Sequence, residues 1–265
     1  MSPKSSLGQN FLKNPGIVDK IIRFADLQEH ETVLEIGPGK GALTGRLLGE
    51  AARVIAVEKD DALYEDLQER FGDNPRLILI HGDILEVDLS GLISPGTKVV
   101  ANLPYNIATQ VILRLSTLSG SLSAIVVMVQ KEVGERICAQ VGGSAYSAMS
   151  VLLAPFFDPV PGFLVGPNNF HPVPKVDSMV LKLLPRKDTI SAAEIDDFRK
   201  VVLGAFGQRR KMLRNSLMSI PGVSRDVLES MAGFAEISLN RRPQDLSWVN
   251  FQDLARAYKK FTCPE

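Results

Sequence analysis

Long apolar runs are missing from this 265-residue sequence. The longest, Ala124–Val129, is the size of a strand and far short of the ~18 residues a bilayer-spanning helix needs. Met1–Gln9 are polar and lack the apolar core of a secretory signal. Cysteine occurs only at Cys138 and Cys263, too few for a disulfide framework or a thiolate metal site. The three histidines, His30, His81 and His171, are too far apart in sequence to show ligand spacing. Charge of either sign is not in excess: 30 basic and 30 acidic residues give a net charge of zero, so bulk charge names no partner. These absences lead to the expectation of a soluble, cytoplasmic protein without a metal.

Hydrophobic residues make up 45% and charged residues 23%, enough for a sizeable core. At about 150 residues per domain the length suggests one large domain or two unequal ones. The charge is unevenly spread: residues 185–265 carry 14 basic against 10 acidic side chains, and the rest 16 against 20. A mildly basic C-terminal part suits a polyanion, although a solvated helical surface shows the same imbalance.

Short β-branched runs at Thr32–Ile36, Arg53–Glu58, Leu77–His81, Lys98–Ala101 and Ala124–Gln130 alternate with helical patterns at Gly41–Glu50, Asp60–Phe71 and Ala108–Leu118. Most of the runs are apolar without strict alternation, as in parallel strands covered on both faces. The alternation predicts a doubly wound α/β fold. Runs near Phe156–Phe163 and Ser178–Leu184 suggest an antiparallel hairpin closing the sheet. Beyond Pro185 no strand is expected. Ala193–Phe206, Gln208–Ser219, Arg225–Met231 and Asp245–Phe261 read as helices, with Ser224 and Ser247 as N-caps. A boundary at 185–192 divides the chain into domains 1–187 and 188–265.

The first strand ends in Glu35-Ile36-Gly37-Pro38-Gly39-Lys40-Gly41-Ala42. Gly37 and Gly39 there permit a tight turn and a close approach of backbone to ligand. The string also fits a dinucleotide-binding fingerprint. Glu58, 21 residues after Gly37, ends the second strand and can accept both ribose hydroxyls of an adenosine. Asp83 follows the third strand, where it can meet an adenine edge. The set describes an adenosine-containing cofactor without separating NAD from S-adenosylmethionine.

The fourth strand ends in Ala101-Asn102-Leu103-Pro104-Tyr105-Asn106. An Asn-x-Pro-Tyr string at this place supplies what methylation of an exocyclic adenine amine requires. The Asn102 side-chain oxygen and the Leu103 carbonyl can each accept one amine hydrogen. That aims the nitrogen lone pair at a methyl sulfonium, and positioning supplies most of the acceleration. Pro104 stiffens the loop. Tyr105 offers a face for the target base, or packs as an ordinary buried aromatic.

Ser6–Leu12, Val33–Thr44, Asn102–Gln110, Met128–Val133, Phe170–Ser178 and Phe206–Leu217 closely resemble the 16S ribosomal RNA adenine dimethyltransferase family of the KsgA type. The resemblance runs from about residue 4 to residue 260. It implies a Rossmann-like class I methyltransferase sheet with a smaller all-α C-terminal domain. It also implies transfer of methyl groups from S-adenosylmethionine to N6 of two adjacent adenosines, in a hairpin loop near the 3′ end of small-subunit rRNA. Each adenosine receives two methyls, and the family acts in ribosome biogenesis. Its cofactor contacts map onto Asn10, Leu12, Gly37, Glu58, Asp83 and Asn102, and its catalytic loop onto Asn102, Leu103, Pro104 and Tyr105. Phe170, between the loop residues Asn169 and His171, is either a second stacking face opposite Tyr105 or a buried anchor. Arg209, Arg210, Lys211 and Arg214 form the densest basic cluster and are candidates for rRNA phosphate contacts. On one helix Arg210 and Arg214 would share a face, while Leu213 and Leu217 pack inward. The related 23S rRNA adenine methyltransferases share the Asn-x-Pro-Tyr loop; Phe206–Leu217 favours the 16S family. A non-catalytic role in checking ribosome assembly is a further alternative, set against a site whose residues are all present. The expected partner is 16S rRNA in the immature 30S subunit, bound by a monomer without membrane or metal.

Overall fold

A computed structural model describes residues 9–187, 189–208 and 211–262. A two-residue strand, β1 (Phe11–Leu12), precedes α1 (Pro15–Ala25), β2 (Thr32–Ile36), α2 (Thr44–Glu50), β3 (Arg53–Glu58), α3 (Asp61–Phe71) and β4 (Leu77–His81). There follow β5 (Thr97–Asn102), α4 (Ala108–Ser116), β6 (Leu122–Gln130), α5 (Lys131–Ile137) and α6 (Ala148–Leu153). The chain continues through β7 (Phe157–Val165), β8 (Phe170–His171) and β9 (Ser178–Pro185). Four helices end it: α7 (Ile195–Phe206), α8 (Leu213–Ser216), α9 (Arg225–Ala235) and α10 (Trp248–Thr262).

Seven strands form one sheet in the order β4-β3-β2-β5-β6-β9-β7. The first five run parallel, and β9 pairs antiparallel with both β6 and β7. The β2, β3 and β4 boundaries are those expected from the sequence, and the two later β runs do close the sheet as an antiparallel pair. Among the described residues β7 pairs only with β9, and its Pro159 and Pro161 suit an edge that must not recruit another strand. Val33, Val54, Val100, Val126 and Val180, one from each of five strands, pack with Val18 and Ile21 of α1 and Leu47 of α2. Full burial of a side chain of this size contributes about 1.5–3 kcal/mol. Local signals start the helices. The Asn14 side chain accepts the Gly16 N–H at 2.9 Å, with Pro15 as the first helical residue of α1. Asp60 accepts the Ala62 and Leu63 N–H groups at the start of α3.

The parallel strands fan out in two directions from β2, with β3 and β4 on one side and β5 and β6 on the other. Such a switch in strand order leaves a crevice beyond the carboxyl ends of the strands.

The chain divides into two compact units, residues 1–134 with 157–185, and residues 135–156 with 186–265. The sequence boundary therefore needs correcting, because residues 135–156 leave the sheet unit. They bond within the helical unit: the Gly142 N–H donates to the Gln244 carbonyl at 2.8 Å and the Tyr146 hydroxyl to the Leu246 carbonyl at 3.0 Å. The Arg186 N–H donates to the Phe156 carbonyl at 2.8 Å, and the Tyr146 and Phe206 rings meet edge to face.

Ser224 caps α9 through the Val227 N–H, and Ser247 caps α10 through the Asn250 N–H, both as expected. The expected helix over 208–219 is a second correction. α7 stops at Phe206, and α8 has four residues, followed by a 3₁₀ turn at Leu217–Ser219. The Leu213 and Arg214 N–H groups bond to the Arg241 and Leu239 carbonyls, so the chain enters α8 already tied to a neighbouring segment. Leu213 and Leu217 are fully buried, as the apolar spacing implied. Among the described residues no helix is long and apolar enough to cross a membrane.

Candidate active site

The crevice at the strand ends holds a cavity of about 140 Å³. Ten of the sequence-predicted residues line it together: Asn10, Leu12, Gly37, Gly39, Glu58, Asp83, Asn102, Leu103, Pro104 and Tyr105. They come from β1 and the residue before it, the loops after β2, β4 and β5, and the ends of β3 and β5.

The loop after β2 turns through Gly37, Gly39 and Gly41, whose φ angles are 62°, 58° and 71°. A side chain is strained in that region. At Gly39 a Cβ would also come within 3.1 Å of the Phe11 ring. β1 therefore lies across the glycine loop like a strap. It is held in turn by antiparallel pairing of Phe11 with His171 and of Leu12 with Phe170.

Glu58 is buried at the end of β3. Its Oε2 accepts the Gly39 N–H at 3.0 Å, and its Oε1 accepts the Lys59 and Asp60 N–H groups, each at 2.9 Å. Burial pushes its carboxyl above the usual range against these backbone donors. The carboxylate thus fastens the glycine loop to the second strand while lining the cavity. Asp83 accepts the Leu85 N–H at 2.8 Å and the Lys59 ammonium at 2.6 Å. The Lys59 ammonium holds the Asp83 carboxyl below its ordinary range.

Asn102 ends β5. Its Nδ2 donates to the Asn10 carbonyl at 3.1 Å, and among the described residues no hydrogen bond engages its Oδ1. One end of the amide is committed to the strap, and an acceptor oxygen remains on a residue of the cavity wall. Leu103 is buried, and its N–H donates to the Met128 carbonyl of β6 at 3.1 Å. That bond fixes the peptide plane on one side of the Leu103 residue. The Pro104 carbonyl accepts the Ile107 and Ala108 N–H groups, starting α4. Tyr105 is half-buried, and its hydroxyl lies 2.6 Å from Ser178 Oγ.

Phe170 is not part of this wall. It is fully buried in the apolar cluster beneath the strap, with Leu12, Val18 and Val165. The expectation of an open stacking face is corrected: burial gives the ring no free face, and its place is that of the anchor. Lys211 and Arg214 are exposed in the helical unit. The Arg214 guanidinium bonds to Asn240 Oδ1. Arg209 and Arg210 lie outside the described residues.

Sequence reading did not single out Glu35, Lys59, Phe11 or Ser178. Glu35 lines the cavity while 1% exposed. Its Oε2 and the Thr44 Oγ1 are buried without a hydrogen-bond partner among the described residues. Burial pushes its pKa up to about 8, nearby Thr44 opposes the shift only in part, and the Glu58 charge adds to it. The available signal was a lone acid in the otherwise apolar strand Thr32–Ile36. Lys59, Phe11 and Ser178 carry no comparable mark.

Residues 1–256 match the family described as ribosomal RNA adenine dimethylase. The chain is 41% identical over 260 residues to ribosomal RNA small subunit methyltransferase A of Geobacter metallireducens, covering 96% of this chain and 94% of the relative. It is 43% identical to the protein of that name from Syntrophotalea carbinolica, over 96% of each. Among solved structures, a dimethyladenosine transferase from Plasmodium falciparum aligns with a TM-score of 0.76 at 27% identity, covering 94% of this chain and 98% of that one. The 23S rRNA methyltransferase ErmE shares the fold, with a TM-score of 0.68 at 24% identity over 94% and 99% of the two chains. The α/β fold is thus the Rossmann-like class I methyltransferase fold.

Proposed function

The chain belongs to the ribosomal RNA adenine dimethylase family, and from that membership we propose that it dimethylates N6 of two adjacent adenosines in the 3′-terminal hairpin loop of 16S rRNA. The substrate is the rRNA within the immature 30S subunit, and the reaction is a step in its biogenesis. The enzyme acts as a cytoplasmic monomer, without membrane or metal. The observation that carries this reading is the state of Asn102: its amide nitrogen is held by Asn10, and its oxygen remains available beside the cavity.

The residues present fit S-adenosylmethionine. The cavity wall combines a glycine loop, two carboxylates at successive strand ends, and the unsatisfied buried Oε2 of Glu35, which calls for a hydrogen-bonding partner. Gly37 and Gly39 would let its backbone come close, Glu58 would accept the ribose hydroxyls and Asp83 the adenine amine, with Asn10 and Leu12 covering it. When bound, S-adenosylmethionine supplies a methyl group activated by a sulfonium.

The chain's own residues do the rest. In the first transfer Asn102 Oδ1 and the Leu103 carbonyl accept the two hydrogens of the target amine, which draws the nitrogen towards tetrahedral geometry; in the second transfer one hydrogen remains and one acceptor holds it. Two neutral acceptors also stabilise positive charge developing on that nitrogen. Pro104 keeps the acceptors at a fixed separation. Tyr105 gives the extruded base a stacking surface, worth about 1–3 kcal/mol. Lys211 and Arg214, together with Arg209 and Arg210, meet rRNA phosphates in a salt-sensitive, sequence-independent way.

Methylation assays on immature small subunits and on large subunits test the reading. Transfer to adenosine N6 in small subunits is expected, and activity confined to large subunits overturns it. Asn102→Ala is expected to abolish methyl transfer while leaving rRNA affinity within a few-fold. Retained transfer refutes the role given to Asn102.

A further inference from the structure

Tyr105 leaves the loop after β5 and reaches back to the sheet, where its hydroxyl meets Ser178 Oγ at 2.6 Å. Ser178 is the first residue of β9 and is fully buried. It stands opposite Gln130 of β6 on one side and Val165 of β7 on the other. Its main chain is therefore fixed by strand pairing on both flanks. The main chain beside Tyr105 is fixed as well, because the Pro104 carbonyl accepts two N–H groups of the entry to α4. The remaining freedom is that of the ring about two torsions; a hydrogen bond at its far tip fixes the first, which sets where the ring lies, while rotation about the second leaves the hydroxyl oxygen in place. A stacking face needs no hydroxyl, since phenylalanine would offer the same π surface. The phenol is therefore accounted for by what it holds, not by what it presents.

We propose that Ser178 is a positioning residue for methyl transfer: its hydroxyl clamps the Tyr105 ring in the place where it receives the extruded adenine. The inference rests on the reading that Tyr105 stacks on the target base. Burial pushes the Tyr105 phenol above its ordinary range, so the clamp stays protonated at neutral pH. An unclamped ring samples other rotamers, and each costs the near-attack geometry of the amine. The loss then falls on kcat, because the stacking surface itself is retained and what is lost is the alignment of the amine.

The test compares the wild-type full chain with Ser178→Ala, Tyr105→Phe and the double variant. Rates are measured on immature small subunits at saturating S-adenosylmethionine and normalised to cofactor-binding sites counted by calorimetry. Each single variant is expected to lower kcat about 3–10-fold, the range a neutral hydrogen bond is worth. The double variant is expected to fall no further, because both changes delete one interaction. KM for the subunit and Kd for the cofactor stay within about two-fold, which separates positioning from a general loss of structure. Single variants within two-fold of wild-type kcat, or losses that multiply in the double variant, overturn the clamp while leaving the proposed function standing. A wild-type chain inactive on every ribosomal substrate overturns both.

Discussion

Glu35 shows how one side chain links the cavity to stability. It sits one residue before the end of a buried strand, and burial raises its pKa from 4.5 to about 8. An acid whose folded pKa is raised binds a proton in the native state over a range where the unfolded chain has already lost it. Stability from this group is therefore greatest below pH 4.5 and falls as pH rises towards about 8. The slope is at most about 1.4 kcal/mol per pH unit. Glu35→Gln keeps the shape and removes the titration. In the ligand-free protein its Tm is expected to fall less than the wild-type Tm between pH 5 and pH 8. Parallel curves from thermal scans across that range would show that Glu35 is ionised or solvated in the native state. At this scale the sequence was legible where chemistry and position coincide: Glu58 and Asp83 follow strands, and in a parallel sheet strand ends converge on the crevice. Phe170 was not legible, because an aromatic in a proline-rich segment reads the same whether its ring is open or buried. Ser178 was not legible either, since its role depends on a residue 73 positions away.

The elements that shape the cavity are the glycine loop and the strap laid over it. Gly39 joins them, with its left-handed φ of 58° and its N–H on the Glu58 carboxylate. Gly39→Ala brings a Cβ to 3.1 Å from Phe11 and adds about 1–2 kcal/mol of backbone strain. The strap or the loop must shift to relieve it. The variant is expected to unfold at lower temperature and to bind S-adenosylmethionine at least about ten-fold more weakly by calorimetry; unchanged affinity would mean that the strap does not form this wall of the site. The strands and helices α2 to α4 were readable because their hydrophobic periods are undisturbed, with a local cap at Asp60; α1, which Asn14 caps, was not read. The stretch 208–219 was misread as one helix. Its apolar spacing is helical, yet the Leu213 and Arg214 N–H groups bond to the Arg241 and Leu239 carbonyls, a pairing across the chain that periodicity does not report.

At the scale of the molecule, the sheet unit is assembled from two stretches of chain, with residues 135–156 given over to the helical unit. No change of composition marks that excursion, so sequence reading placed the boundary near 187 alone. The distinction has a consequence for truncation. A chain ending at residue 185 retains every strand of the sheet, but strands Tyr146 without the Leu246 carbonyl and the Phe206 ring, and Gly142 without the Gln244 carbonyl. Tyr146, Val151, Leu153 and Phe156, all buried in the full chain, would then face water or one another. Exposed apolar surface of that kind promotes aggregation. The simple truncation is expected to be poorly soluble. A second truncation, in which a short Gly/Ser linker replaces residues 135–156, removes the orphaned segment. It leaves intact the residues that line the cavity, all of which lie within 9–107. It is expected to remain soluble and to bind S-adenosylmethionine within a few-fold of the full chain, while losing affinity for the small subunit along with the basic residues of the helical unit. Equal solubility of the two truncations would show that residues 135–156 fold without the helices that follow Pro185. Failure of the linker form to bind cofactor would show that the sheet unit depends on that excursion for its own stability.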